Sequence, residues 1–140
     1  MAATTIAIDT KKLTGENFDA VPVLAAVKIP AGALVALTSA GYATNAADVA
    51  GHKVIGIAEY TVDNTAGASG ALTITTVAGP VSGFVNDATN PCTIAHVGRT
   101  VYVLDNQTIR SVVGTNTIKA GILMGINADL SLKINIAPNH

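Results

Sequence analysis

Charge is what this 140-residue sequence has least of: Lys, Arg, Asp and Glu make up 12% of it, about half the ~25% usual in soluble domains. Eight Lys and Arg against nine Asp and Glu leave a formal net charge of −1, so no electrostatic footprint for nucleic acid is expected. Aromatic residues are 4% and tryptophan is absent, which argues against base-stacking platforms and Trp-lined sugar grooves. The single cysteine, Cys92, excludes an internal disulfide and leaves redox chemistry without a second thiol. No apolar run approaches the ~18–20 residues of a membrane span. The opening MAATTIAIDTKKLTGENF lacks a basic start followed by an apolar core and a small-residue cleavage site. No signal peptide is expected, and a cytoplasm is the expected place of synthesis.

What is present reads as β throughout. Apolar positions recur at period two, rich in Val, Ile and Thr, with Gly, Asn, Asp and Pro between them. Leu72, Ile74 and Thr76 alternate with Thr73, Thr75 and Val77, and Leu130, Leu132, Ile134 and Ile136 with Ser131, Lys133 and Asn135, so each run is expected to bury one face. VIGIAEY (54–60) and AGILMGI (120–126) are almost continuously apolar and are expected to be central strands, with Gly56, Gly121 and Gly125 marking bulges or close backbone approaches. Short helical turns fit only around residues 45–49 and 93–97, where Thr93 can cap.

An internal repeat is visible. Gly32, Val35 and Leu37 followed by Gly56-Ile57 line up with Gly98, Val101 and Val103 followed by Gly121-Ile122, and the intervening turns are Ser39-Ala40-Gly41 and Asp105-Asn106-Gln107. Two such units are expected to close one small sheet on itself. The expected fold is therefore all-β, a small β-barrel or β-sandwich in a single domain over residues 21–140, preceded by an extended N-terminal arm over residues 1–20. In that arm Ile6, Ile8, Leu13 and Phe18 are too widely spaced to nucleate a helix, and its threonines favour extended backbone. The arm is expected to dock on a neighbour's sheet edge, with Lys11 and Lys12 meeting acidic groups there.

Catalytic chemistry finds little to use. The glycines of TAGASGAL (65–72) neither follow a clear strand nor precede a Lys-Ser or Lys-Thr pair, so Gly67 and Gly70 read as turn glycines and not as a phosphate loop. Asp63-Asn64 lacks the alternating oxygen ligands and closing glutamate of a calcium loop and reads as a solvated turn. Cys92 and His96 are four apart, but only His52 and His140 could join them, so a buried thiol and a surface histidine are expected instead of zinc. Ser111, His96 and Asp105 could be drawn as a triad, but no elbow motif surrounds any serine. Asn106-Gln107-Thr108 is a formal glycosylation sequon that reads as a hairpin turn in which Asp105 accepts backbone N–H groups. No catalytic residue, metal, cofactor or small-molecule substrate is expected.

AGALVALTSAGYAT (31–44), GIAEYTVDNTAGASGALTITT (56–76) and VGRTVYVLDNQTI (97–109), closing with AGILMGI, resemble the capsid decoration or cement proteins of tailed bacteriophages and prophages. The most specific parts are Val62-Asp63-Asn64 followed by Gly67 and Gly70, and Val101-Tyr102-Val103 followed by Asp105, Gln107 and Thr108. The resemblance implies a small β-rich domain that assembles as a homotrimer on the outer surface of the icosahedral head and clamps neighbouring major capsid subunits. It implies a virion location after assembly in the host cytoplasm, with no nucleic acid or membrane partner. Family members often begin with an Arg-rich segment, where this chain has Lys11 and Lys12. Two other readings share the composition: a tail or fibre component, and a carbohydrate-binding module using Phe18, Tyr42, Tyr60, Phe84 and Tyr102.

Overall fold

The computed structural model describes residues 3–12 and 17–136. Among the described residues thirteen strands follow one another: β1 (Lys11–Lys12), β2 (Asn17–Pro22), β3 (Lys28–Ile29), β4 (Leu34–Leu37), β5 (Ala43–Asn45), β6 (Lys53–Ala58), β7 (Val62–Asp63), β8 (Thr73–Val77), β9 (Gly79–Asn86), β10 (Thr100–Val103), β11 (Thr108–Arg110), β12 (Lys119–Ile126) and β13 (Leu132–Ile136). Among the described residues the one helical element is a 3₁₀ turn at Ile94–His96. The all-β expectation therefore holds, and of the two expected helical turns only the second forms. Asn45 ends β5 and residues 46–49 are irregular, the Asp48 side chain there binding a neighbouring loop.

The repeat is real, but it closes differently from the sequence reading. Strands β9, β11, β10, β12 and β13 form a ring, since β9 pairs with both β11 and β13, which makes a closed five-stranded barrel. Strands β2, β8, β6, β4 and β5 form a second sheet, matching β9, β13, β12, β10 and β11 in turn, and its two ends meet at a parallel bridge between Val23, just after β2, and Ala43. The registers agree between the copies. Val35 faces Gly56 as Val101 faces Gly121, and the pairs Ile57–Val77 and Ala58–Thr76 correspond to Ile122–Asn135 and Leu123–Ile134. In both copies the last contact is parallel, joining β11 to β9 in one and the end of β2 to β5 in the other. Each copy thus adds strands of its own and curls alone, because five strands already suffice to surround one layer of side chains.

Alternation along the strands sorts the side chains. Val35, Ala43, Ile55, Ala58 and Ile74 fill the first unit, while Val101, Val103, Ile109, Leu123, Leu132 and Ile134 fill the second. Leu34, Ala36, Val54, Ile57 and Val77, on the other face of the first sheet, pack with the second unit's core, so the two units form one body. Leu72 and Leu130, expected inside, are exposed. Leu72 precedes β8, and Leu130 sits in a tight turn at φ 70° whose backbone turns it outward.

The expected arm is extended, but it lies along its own body. β1 runs antiparallel to β9, with Lys11 opposite Ser82 and Lys12 opposite Val81. β2 runs antiparallel to β8, from Asn17 opposite Val77 to Pro22 opposite Thr73. The boundary drawn at residue 20 falls inside β2, because the Phe18, Val21 and Val23 side chains pack into the first unit's core. Leu13 lies outside the described residues.

Both units need one backbone to touch another. Gly56 has φ 145°, and a Cβ there would collide with the carbonyl of Val77; a Cβ on Gly121 would collide with the carbonyl of Asn135. We expect Gly56→Ala and Gly121→Ala each to lower the unfolding free energy by roughly 2–4 kcal/mol, with Gly56→Ala the worse for its positive φ. Urea unfolding checks this, and parental midpoints would refute the close-approach argument.

Candidate functional site

The N-terminal segment is held by a relay of backbone contacts. Asn106, fully buried in the β10–β11 turn, accepts the Thr4 N–H at 2.8 Å through Oδ1 and donates from Nδ2 to the Thr4 carbonyl at 3.1 Å. Its Nδ2 also donates to Asn45 Oδ1 at 2.9 Å, and its carbonyl accepts the Leu34 N–H at 2.8 Å. One side chain therefore joins the N-terminal segment, the first unit and the second. Farther on, the Ile8 N–H donates to the Ala31 carbonyl at 3.1 Å and Thr10 Oγ1 to the Gly32 carbonyl at 2.9 Å. Glycine is required beneath this path, since a Cβ on Gly32 would press on the Ile8 carbonyl and one on Gly83 would collide with that of Asp9.

Other polar side chains act as clasps on backbone. Asp48 accepts the N–H groups of Thr115 and Asn116, both at 2.8 Å, tying a first-unit loop to a second-unit one. Asn86 binds both backbone groups of Cys92, at 2.8 and 2.9 Å. Asn64, buried, donates to the carbonyls of Leu24 and Ala68, each at 3.0 Å, and Gly67 leaves room for its Oδ1. Asp105 Oδ1 accepts from the N–H groups of Gln107 at 3.0 Å and Thr108 at 2.9 Å, and Asp63 holds Thr65 in the same way. Gly70, at φ 84°, donates to the Val23 carbonyl at 2.9 Å.

The surface is charge-poor but carries large apolar side chains. Ile94 is 85% exposed on the 3₁₀ turn, and Val97 follows it. That segment is tied to β12 through Gly98 and Arg99, which bond to the two backbone groups of Leu123, beside the half-exposed Met124. Leu130, 67% exposed, borders a groove of about 410 Å³ with Val85, Ala88 and Pro91. Ile6 is 73% exposed, Ile8 is half-buried in the N-terminal strap that these contacts hold, and Phe18 is half-buried in the first unit.

The residues considered for chemistry are dispersed. Ser111 donates to the Asn90 carbonyl, His96 Nδ1 accepts from the Thr93 N–H at 2.9 Å, and Asp105 binds its own turn. Burial, aided by the Asp87 carboxylate, pushes the Cys92 thiol up to about 11, so it is a core residue with little thiolate character. Phe84 is fully buried and is unavailable for sugar stacking. The sequence reading missed Asp48, Asn86 and the bridging role of Asn106. An isolated Asp or Asn in a loop carries no sequence signal for a partner many residues away.

Compared with protein-family models, curated proteins and solved structures, the chain matches none of them.

Two expectations follow. Asn106→Ala should cost about 2–3 kcal/mol, since it leaves buried backbone groups unpaired, and should speed hydrogen exchange at Thr4 and Ile8; unchanged exchange there would show that the strap is held by something else. Desolvation depresses the His52 pKa below 6.5, so folding disfavours its charged form. Stability is then full above about pH 6.5 and falls as the pH drops from there toward the folded value, while His52→Gln should flatten that stage. A second loss should follow below about pH 4, where Asp63 and Asp129, lowered by their Thr65 and Ser131 hydroxyl and N–H donors, become protonated. Melting curves from pH 8 to pH 3 check both stages.

Proposed function

We propose that the chain is a non-catalytic decoration subunit that binds the outer surface of the mature phage capsid and stabilises it, its partners being the major capsid protein and its own copies in a homotrimer. The carrying observation is the set of apolar side chains, led by Ile94 with Val97 and Met124, held in the open on a surface with few charges. Interface centres are depleted in charge and enriched in such residues, Met among them. The stretches that resemble the cement proteins supply the class of partner.

The mechanism needs only selective binding. A subunit that binds the expanded lattice and not the unexpanded one stabilises the former by mass action. A trimer over a junction of capsid subunits multiplies modest contacts through effective concentration.

Co-sedimentation with empty heads tests this. The protein should pellet with expanded heads and stay in the supernatant with unexpanded ones, and light scattering should give three times the 14.1 kDa chain mass. Ile94→Asp, at so exposed a position, should leave the melting temperature within a degree or two and weaken head binding at least tenfold. Binding to purified tails and not to heads would overturn the reading in favour of a tail component.

A further inference from the structure

One connection differs sharply between the two units. Val23 corresponds to Asn86, since Val23 bridges Ala43 in parallel as Asn86 pairs with Ile109, and the N–H groups of Leu24 and Asp87 donate to the carbonyls of Ala43 and Ile109 in turn. Leu72 likewise corresponds to Leu130, each two positions before the residue, Ile74 or Leu132, that faces Val21 or Phe84. In the first unit the connection over residues 59–71 lays a ribbon across Val23–Ala25. Gly70 donates its N–H to the Val23 carbonyl at 2.9 Å, Asn64 Nδ2 donates to that of Leu24 at 3.0 Å, and the Ala25 N–H donates to Ser69 Oγ at 3.0 Å. In the second unit the connection is shorter, residues 124–129, and closes in a tight turn before β13. The corresponding residues Asn86, Asp87 and Ala88 therefore line the open groove of about 410 Å³, with Val85, Pro91 and Leu130. A three-residue loop of this kind ordinarily has glycine at its left-handed position, yet here Leu130 stands there at φ 70°, 67% exposed at the groove's edge. Asn127 Nδ2 donates to Ser82 Oγ and Ser131 Oγ, both at 2.9 Å, and holds that turn in place.

We propose that this groove seats an extended loop of the major capsid protein, free of acidic residues and carrying a Lys or Arg beside a small apolar side chain, where the first unit lays its own ribbon. The identity of the partner rests on the capsid reading; its chemistry rests on the groove. The walls hold the carboxylates of Asp87 and Asp129, and among the described residues no Lys or Arg lines the groove, so a basic segment is complementary and an acidic one is repelled. Val85, Ala88, Pro91 and Leu130 supply the apolar floor and edge for a small side chain. A second copy is the poorer occupant. A two-fold contact between grooves would set Asp129 against Asp129, and the ribbon of each copy is already fastened over its own first unit. The groove also lies at the same end of the second unit as Ile94 and Val97, because β9 and β12 finish there and β10 and β13 begin there.

Co-sedimentation of full-length variants with expanded heads tests this. Leu130→Gly, which relieves the left-handed backbone, should melt no lower than the parent yet bind heads roughly fivefold more weakly. Ala88→Glu, at an exposed position, should weaken binding roughly tenfold with an unchanged melting temperature. Asp129→Asn should also weaken binding and flatten its fall with added salt. A thiol-directed photo-crosslinker attached to Ala128→Cys, on the exposed residue beside Asp129, should join the chain to one capsid loop that contains a Lys or Arg; the parent, whose Cys92 is buried, is the control. Groove variants that pellet like the parent overturn the proposal and leave the capsid reading standing. Cross-linking to an acidic loop or to a second copy, or no cross-link on heads that carry the protein, does the same. A parent that does not pellet with heads overturns both.

Discussion

Closing a sheet of only five strands demands sharp curvature, and the rest of this molecule is arranged around meeting that demand twice. Flat, regular strands cannot turn so tightly, so the register slips at matching places in both units: at Ile55 of β6 opposite Val35 and Ala36, at Ala120 of β12 opposite Val101 and Tyr102, and at Ala20 and Gly83 on the strands that open each unit. Bulges sharpen strand twist and bend, and a glycine at the crossing lets one backbone lie on the next. Gly56 and Gly121 are those crossings. Curvature also explains the parallel contact that ends each unit, since only a strongly coiled sheet brings its first and last strands together.

Small barrels leave many backbone groups in loops that must still find partners. In this chain Asn and Asp side chains supply them, at Asp48, Asn64, Asn86, Asp105 and Asn106. An ion pair between Arg110 and Asp87 is long at 3.9 Å. A chain that is 12% charged thus holds its loops with uncharged or singly charged clasps on peptide groups, which are less sensitive to salt than surface ion pairs. The surface left over is small-residue and apolar in patches.

The sequence made the fold class legible because period-two alternation and the Gly-Ile repeat are local signals. It also pointed to the Asp105 turn, where donor and acceptor are two and three residues apart. Closure was not legible. The alignment of Val35 with Val101 shows that two units exist, but not whether they share one barrel, because that depends on β2 and β9, whose sequences NFDAVP and GPVSGFVN show no likeness beyond apolar character. The intrachain pairing of the arm was not legible for a related reason: short extended segments such as Lys11–Lys12 are recognisable as strands only by what they lie against. Among the candidate surface residues, the sequence singled out Ile6 and Phe18 but not Ile94 or Met124, because an apolar residue in a turn or central strand gives no hint of its exposure.

The bond between Thr4 and Asn106 spans 102 positions of the chain. During synthesis Thr4 is made well before the side chain that anchors it. At the usual ~5–20 residues per second, about 5–20 s pass between the two events. Through that interval the first residues are without their anchor, and the opening strands wait for β8 and β9 as well. The order of synthesis is therefore the reverse of the order of fastening: Thr4 is secured only by a side chain made after it.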